Sequence, residues 1–400
     1  MAGVEPASSR PLWPFAALSA SYFAHIGFFN PYLPLWLKEL GYGLLFISVL
    51  TSLPSATRLF APYLWAWLSD RTGHRVAWMR YCATAALLVS VALWWPWGAV
   101  GLFVVLLLIF THTGGMMPLS ESVLAQWVST EGRFDARRYG RIRLWGSLGF
   151  LVTVLVAGAW FSAHGMGGFP LWTVATLGAV AASVWWMRED RDPPAGDVPH
   201  PGIGPVLRLP AARWFFLSAF LHILAHIFVY IFFSLYLDEL GYGKHIIGVL
   251  WAAAVVAEIA WFYTQGRWAG RIELSGWLML AAALMALRMG VTAVAGQWLW
   301  ALLAAQVVHA ITFAAHHSTC IAWIHQHFPG RLKARGQALY ATLGYGLAGV
   351  VGGVVGGLVS SRWGLQVVFW LAALAAMGAW AAAWAMRRAD PLRHTPATEQ

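Results

Sequence analysis

Leu37-Lys38-Glu39-Leu40-Gly41-Tyr42-Gly43 returns two hundred residues later as Leu237-Asp238-Glu239-Leu240-Gly241-Tyr242-Gly243, with only Lys38/Asp238 changed. Ile47-Ser48-Val49-Leu50 reappears in the same register as Ile247-Gly248-Val249-Leu250. Each block closes a long apolar run and opens another. The 400-residue chain therefore reads as two equivalent halves, each built from the same series of apolar segments.

The solvent of those segments follows from composition. Hydrophobic residues make up 60% of the chain and charged residues 10%, with a mean hydropathy of +0.63. Soluble domains carry about 25% charged residues, so water is the wrong medium for most of this surface. Runs long enough to cross roughly 30 Å of hydrocarbon lie at 12–37, 44–68, 76–97, 99–127, 141–163, 169–187, 213–237, 246–265, 274–295, 297–323, 338–361 and 365–386. The fourth is long enough to be tilted or broken near Pro118. The reading is an all-α membrane protein with twelve transmembrane helices in two pseudo-symmetric six-helix halves. Residues 1–187 form the first half, 188–212 a Pro/Gly-rich cytoplasmic linker, 213–386 the second half and 387–400 a cytoplasmic tail. Internal duplication of this kind is common in secondary transporters.

Basic residues set the expected orientation. With both termini cytoplasmic, 21 Lys and Arg fall on inside segments, against Lys38, Lys244 and Arg362 outside. A bacterial-type inner (plasma) membrane fits that bias. The net charge of +10 then needs no nucleic acid, because the excess faces anionic lipid headgroups. The first apolar segment is too long for a signal peptide and is read as a retained helix. Cys82 and Cys320 sit in apolar segments of opposite halves and predict neither a disulfide nor a metal site.

Ionisable side chains inside the predicted helices are few: Arg58, Glu121, Glu258 and Arg288, with Arg143 nearer an inner end. Each costs about 2.5–3.5 kcal/mol at a helix centre, so each is expected to face a partner or a water-filled cavity. Structural ion pairs are the bland alternative. Arg58 and Glu258 are again 200 apart, and related by the repeat they would both look into one central cavity. His222 and His226 share a helical face, as do His309, Thr312 and His316 beside Gln306. Hydrogen bonding between helices is the default for such histidines. No acidic residue stands at a zincin-like spacing, so no metal is expected.

Between the second and third segments, Ala66-Trp67-Leu68-Ser69-Asp70-Arg71-Thr72-Gly73-His74-Arg75 resembles the signature loop of the major facilitator superfamily. Leu68, Asp70, Arg71, Gly73 and Arg75 match, whereas Ala66 and His74 depart. Asp70 is expected to accept hydrogen bonds at a helix start and Gly73 to allow a tight turn. The resemblance implies a conformational rather than a binding role for this loop. Its second-half counterpart, Gly266–Arg271, lacks the acid.

Tyr139-Gly140-Arg141-Ile142-Arg143-Leu144-Trp145-Gly146-Ser147, with Pro118-Leu119-Ser120-Glu121 upstream, is similar to the lactose-permease branch, in particular the 3-phenylpropionate permease group. That resemblance implies substrate binding by Glu121 and Arg143. Val256-Ala257-Glu258 and Leu287-Arg288-Met289-Gly290 resemble the branch's eighth-helix acid and ninth-helix arginine. Gln306-Val307-Val308-His309-Ala310-Ile311-Thr312-Phe313 keeps only the histidine of the lactose-permease pattern and looks instead like the phenylpropionate group.

Together these imply a proton-coupled importer of a small organic solute such as an aromatic carboxylate, working as a monomer with no cofactor and the proton as its coupling ion. Glu258, His309 and Arg288 would couple the proton. Glu121, Arg143, Arg58 and Arg288 would bind the solute, and Trp145 would offer a stacking surface. Protonated Glu258 would release Arg288 to the carboxylate, and the deprotonated form would recapture it. The rivals are a sugar or nucleoside symporter, a drug exporter and a membrane-embedded sensor. An enzyme is disfavoured, since no nucleophile–base set or nucleotide loop is evident.

Overall fold

The structure, a computed structural model, describes residues 12–130, 133–189, 203–328 and 332–390. The repeated heptapeptide folds the same way twice. Helix α1 (Trp13–Glu39) and helix α10 (Pro210–Glu239) both end at Leu-Gly, with φ of 85° at Gly41 and 86° at Gly241. Only glycine enters this left-handed region without steric cost, so it ends the helix. Ile47 N then donates to Gly43 O at 3.0 Å and Ile247 N to Gly243 O at 3.1 Å, opening α2 (Leu44–Thr57) and α11 (Lys244–Thr264). Leu37, Leu237, Ile47, Ile247, Leu50 and Leu250 are all fully buried. The repeat thus encodes one turn and the packing on either side of it.

The remaining helices are α3 (Ala61–Thr72), α4 (Arg75–Ser90), α5 (Gly98–Gly114), α6 (Met116–Val128), α7 (Ala136–His164), α8 (Phe169–Trp185) and the short α9 (Gly204–Arg208). In the second half come α12 (Leu274–Val294), α13 (Leu299–Val307), α14 (His316–His327), α15 (Leu332–Tyr340), α16 (Ala348–Trp363) and α17 (Leu365–Ala389). Among the described residues, eleven helical stretches are long and apolar enough to cross a bilayer. The twelfth, α1, has 27 residues and so about 40 Å of length, but is less apolar. It is buried along most of its course, and a helix surrounded by protein does not need a lipid-soluble surface. The architecture is all-α; among the described residues the one exception is a two-residue antiparallel ladder pairing β1 (Ser129–Thr130) with β2 (Arg133–Phe134).

Several boundaries differ from the sequence reading. The second span is interrupted at residues 58–60, just after Pro54 removes a backbone donor. The fourth does break near Pro118, at Gly115, where the Trp65 ring crosses so closely that an added Cβ would meet it at 2.4 Å. Pro118 sits in the first turn of α6, where its missing N–H costs nothing. Within the expected linker, 190–202 lies outside the described residues, but Gly204–Arg208 is helical and α10 already begins at Pro210. The tenth and eleventh spans contain π-helical segments, Ala310–Ala315 and Ala341–Leu347.

Contacts divide the chain into two compact units. The first comprises Met1–Gly41, Ala56–Asp197 and Gly243–Val249; the second comprises Tyr42–Ser55, Val198–Tyr242 and Leu250–Gln400. In the first, α1 packs along α7 and α8. Its core gathers Phe15, Leu18, Met79, Leu124, Trp127 and Val184. In the second, α10 packs along α16 and α17.

Candidate functional site

In the first unit, Asp135 caps α7 by accepting from Arg138 N at 2.9 Å. The helix so started presents Arg143 to Glu121 on α6, and Arg143 Nη1 donates to Glu121 Oε1 at 2.7 Å. The two side chains are 37% and 41% exposed, so the pair is open to exchange. Phe23 lies under the guanidinium, 5.2 Å from ring centre to Cζ. Tyr139 lies within electrostatic reach of both partners, and the Tyr22 hydroxyl within reach of Glu121 and Arg58. Arg58 itself stands exposed at the interruption between α2 and α3.

Trp145 is not brought to this pair. Two residues along a helix is a turn of roughly 200°, so Trp145 leaves α7 on the face opposite Arg143. There it meets the edge of Trp13 at 6.3 Å and lines a surface recess with Leu12, Arg138 and Arg141.

The Asp70 loop departs from expectation in one respect. Gly73 makes the turn, with φ of 72° and its N–H on Ser69 O at 2.8 Å. Asp70, however, lies in the last turn of α3 and pairs with Arg75 at 3.7 Å. The free N–H at the start of α4, on Val76, goes instead to Glu189 Oε1 at 3.1 Å, and the Arg80 guanidinium holds Met187 O beside it. A distant acid took the capping role because α8 delivers it there, which local spacing could not reveal. Arg71 lies over the Trp67 ring at 5.2 Å.

The second unit contains the denser cluster. Arg288 on α12 is 3% exposed. Its Nη1 donates to His309 Nδ1 at 3.1 Å and Thr312 Oγ1 at 3.3 Å, and its Nη2 to Gln306 Oε1 at 2.8 Å. Its Nε has no partner among the described residues. These contacts fix the state of His309. A guanidinium can only donate, so Nδ1 must carry the lone pair and neutral His309 must hold its proton on Nε2. That Nε2 faces Glu258 Oε2 at 3.8 Å. His309 thus stands between acid and guanidinium, where a direct exchange between Glu258 and Arg288 was expected. Phe313 stacks flat on the imidazole, 5.0 Å away at 5°.

The π segment begins right after His309. Such local widening is frequent at functional sites, and nothing in the residue pattern announces it. The aromatic surface beside Arg288 was also missed: Tyr230, within electrostatic reach of the guanidinium, stacks on Trp251 at 6.0 Å and 22°. His316 shares a face with His309: both meet α10, His309 at His226 and His316 in a stack on His222 at 3.7 Å. Among the described residues no group of three His, Cys, Asp or Glu could hold a metal ion.

Membrane-crossing helices duplicated about two polar clusters define an integral membrane transport protein. Residues 12–371 match the MFS_1 like family, and the chain belongs to it as a secondary transporter of the major facilitator type. It is 25% identical over 363 residues to the probable 3-phenylpropionic acid transporter of Escherichia coli (strain K12), covering 90% of this chain and 93% of that one. It is 28% identical over 330 residues to the maltose permease of Geobacillus stearothermophilus, covering 81% of each. The fold is similar to that of the nucleoside transporter NupG, with a TM-score of 0.78, 16% identity, and 94% and 99% of the two chains covered.

Proposed function

We propose that this transporter imports small aromatic carboxylates together with a proton, as a monomer in a bacterial-type inner membrane with both termini cytoplasmic. The observation that carries the reading is Arg288. It is a buried guanidinium whose hydrogen-bond partners are all neutral, and it lies beside a stacked aromatic pair and one bridging histidine from a carboxylate. An anion with a ring satisfies both features: the carboxylate takes the planar guanidinium and the ring meets Tyr230 and Trp251. The name of the Escherichia coli relative supports the same class.

Coupling follows from the tautomer. While Arg288 holds His309 Nδ1, no proton can bind there. A solute carboxylate that draws Arg288 away exposes that lone pair, and His309 then binds a proton as an imidazolium facing Glu258. Anion and proton enter together and the cluster's net charge is unchanged. In the first unit, Glu121, Arg143 and Arg58 are further candidate solute-binding residues, and the Asp70–Arg75 loop would act on the rocking cycle.

A second reading rests on the half-exposed Glu121–Arg143 pair, which suits hydroxyl recognition and has the maltose permease relative beside it. Uptake of labelled 3-phenylpropionate into vesicles with an imposed pH gradient tests the choice. Uphill accumulation that unlabelled maltose and nucleosides fail to reduce is the expected result. Accumulation of maltose, with none of the aromatic acid, would replace the first reading by the second.

A further inference from the structure

Three buried histidines in the second unit take no part in the site described above. His226 approaches His309 edge-on at 5.7 Å between ring centres. His222 follows at 5.0 Å from His226, and His316 stacks on His222 at 3.7 Å. The series crosses from the helix carrying His309 to α10, runs through two rings there, and returns to the first helix at His316. From His309 to His316 it advances roughly 10 Å along that helix. His316 opens α14, which runs on toward α15 and the end of the unit marked by Lys333 and Arg335.

The hydrogen bonds of these rings define where protons can sit. His222 Nε2 lies 2.6 Å from Thr312 O, and His226 Nδ1 lies 3.3 Å from His222 O. A carbonyl only accepts, so those nitrogens carry the protons. The other nitrogen of each ring, His222 Nδ1 and His226 Nε2, is then a basic lone pair. Both are buried without a hydrogen-bond partner among the described residues. Holding α10 against the π segment would explain one nitrogen per ring, and a glutamine amide would do that equally well. It does not explain two bare imidazole bases in series beside a proton-binding site, where an unsatisfied polar group costs about 1–3 kcal/mol.

We infer that His226, His222 and His316 form a proton relay joining His309 to the end of the unit bearing Lys333 and Arg335. The inference rests on the proton coupling proposed above. Each step moves one proton and no electrons: a ring binds a proton at its bare nitrogen, becomes an imidazolium, and loses it to the next ring. Separations of 5.0 and 5.7 Å between ring centres suit transfer by ring rotation or through one bridging water. The charged and titratable groups facing the series are Arg288, Glu258 and Tyr230 at one end and His317, Cys320 and Tyr340 at the other. Arg288 holds His309 Nδ1 and opposes imidazolium formation on that ring, so transfer between His309 and the series waits for a solute anion that takes the guanidinium, while His226, His222 and His316 still exchange protons with the opposite end. Proton leak without solute is thereby suppressed.

The test has two arms, both on the full chain in lipid vesicles. Without any solute, a downward pH jump followed by infrared spectroscopy reads imidazolium formation. The protein should give a slow buried-histidine band that His222→Gln and His226→Gln each remove. If no such band forms, or if both variants keep it, the relay is wrong whatever the protein transports. In the second arm, 3-phenylpropionate counterflow should stay within about twofold in both variants while pH-driven accumulation falls about tenfold. Variants that accumulate the acid as the unaltered protein does would overturn the relay and leave the transport reading standing. An unaltered protein that gives the band but moves no 3-phenylpropionate would overturn the proposed solute and leave the relay standing.

Discussion

Two guanidinium clusters, one in each unit, solve the problem of a charge in hydrocarbon differently. Arg143 pairs directly with Glu121 at 2.7 Å, and both side chains keep more than a third of their surface exposed. Arg288 is nearly sealed and is held by a histidine, a glutamine and a threonine, with its acid one ring further away. A half-solvated ion pair is weakly bound and opens at little cost. A buried guanidinium among neutral partners is a strained electrostatic state that a solute anion relieves. The first arrangement suits recognition. The second suits coupling, because whatever satisfies Arg288 changes the protonation of His309.

The largest expected effect is at the sealed cluster. Arg288→Ala should lower 3-phenylpropionate uptake by about a hundredfold or more, since it removes the anion site and leaves buried acceptors unpaired. Uptake that stays above about a tenth of the unaltered rate would move solute binding to the Arg143 cluster. Next comes Glu258→Gln, expected to abolish uphill accumulation while equilibrium exchange stays within about twofold. Full gradient-driven uptake by that variant would remove Glu258 from coupling and erase the functional contrast between the clusters.

At the open pair the effect should be smaller and of another kind. Arg143→Lys should raise the half-saturating solute concentration about tenfold and leave the accumulation ratio unchanged, because lysine keeps the charge but loses the planar fork. An altered accumulation ratio would show that this pair couples as well as binds. The smallest effect separates two aromatic surfaces. Trp251→Ala should weaken binding about five- to tenfold, in the range of one aromatic contact, whereas Trp145→Ala should change it less than about twofold. Equal effects in a side-by-side uptake measurement would return Trp145 to the solute's path.

Much of this molecule was legible before any coordinates. The duplicated heptapeptide announces the turn at Gly41 and Gly241 because the backbone there demands glycine, and backbone demands are local. The Glu121–Arg143 pair was also foreseeable, as two costly charges in neighbouring apolar helices needed partners. Other features hid for a stated reason. The cap on α4 comes from Glu189, more than a hundred positions away, and the ring that crosses at Gly115 is Trp65, from another helix. The separation of Trp145 from the Glu121–Arg143 pair is hidden as well, because Arg143 is close to it in sequence but roughly opposite on the helix.

The sequence by itself determined the solvent, the helices, the repeat and which few residues carry charge into the membrane. Those follow from the hydropathy and length of single segments, each sensed by the chain locally. Only the tertiary structure decided that His309 stands between Arg288 and Glu258, that Tyr230, stacked on Trp251, comes within electrostatic reach of the guanidinium, and that His226, His222 and His316 fall into series. Those arrangements depend on the rotation of one helix against another and on a π-helical widening. Both are set by packing among distant residues, and no short stretch of chain encodes them.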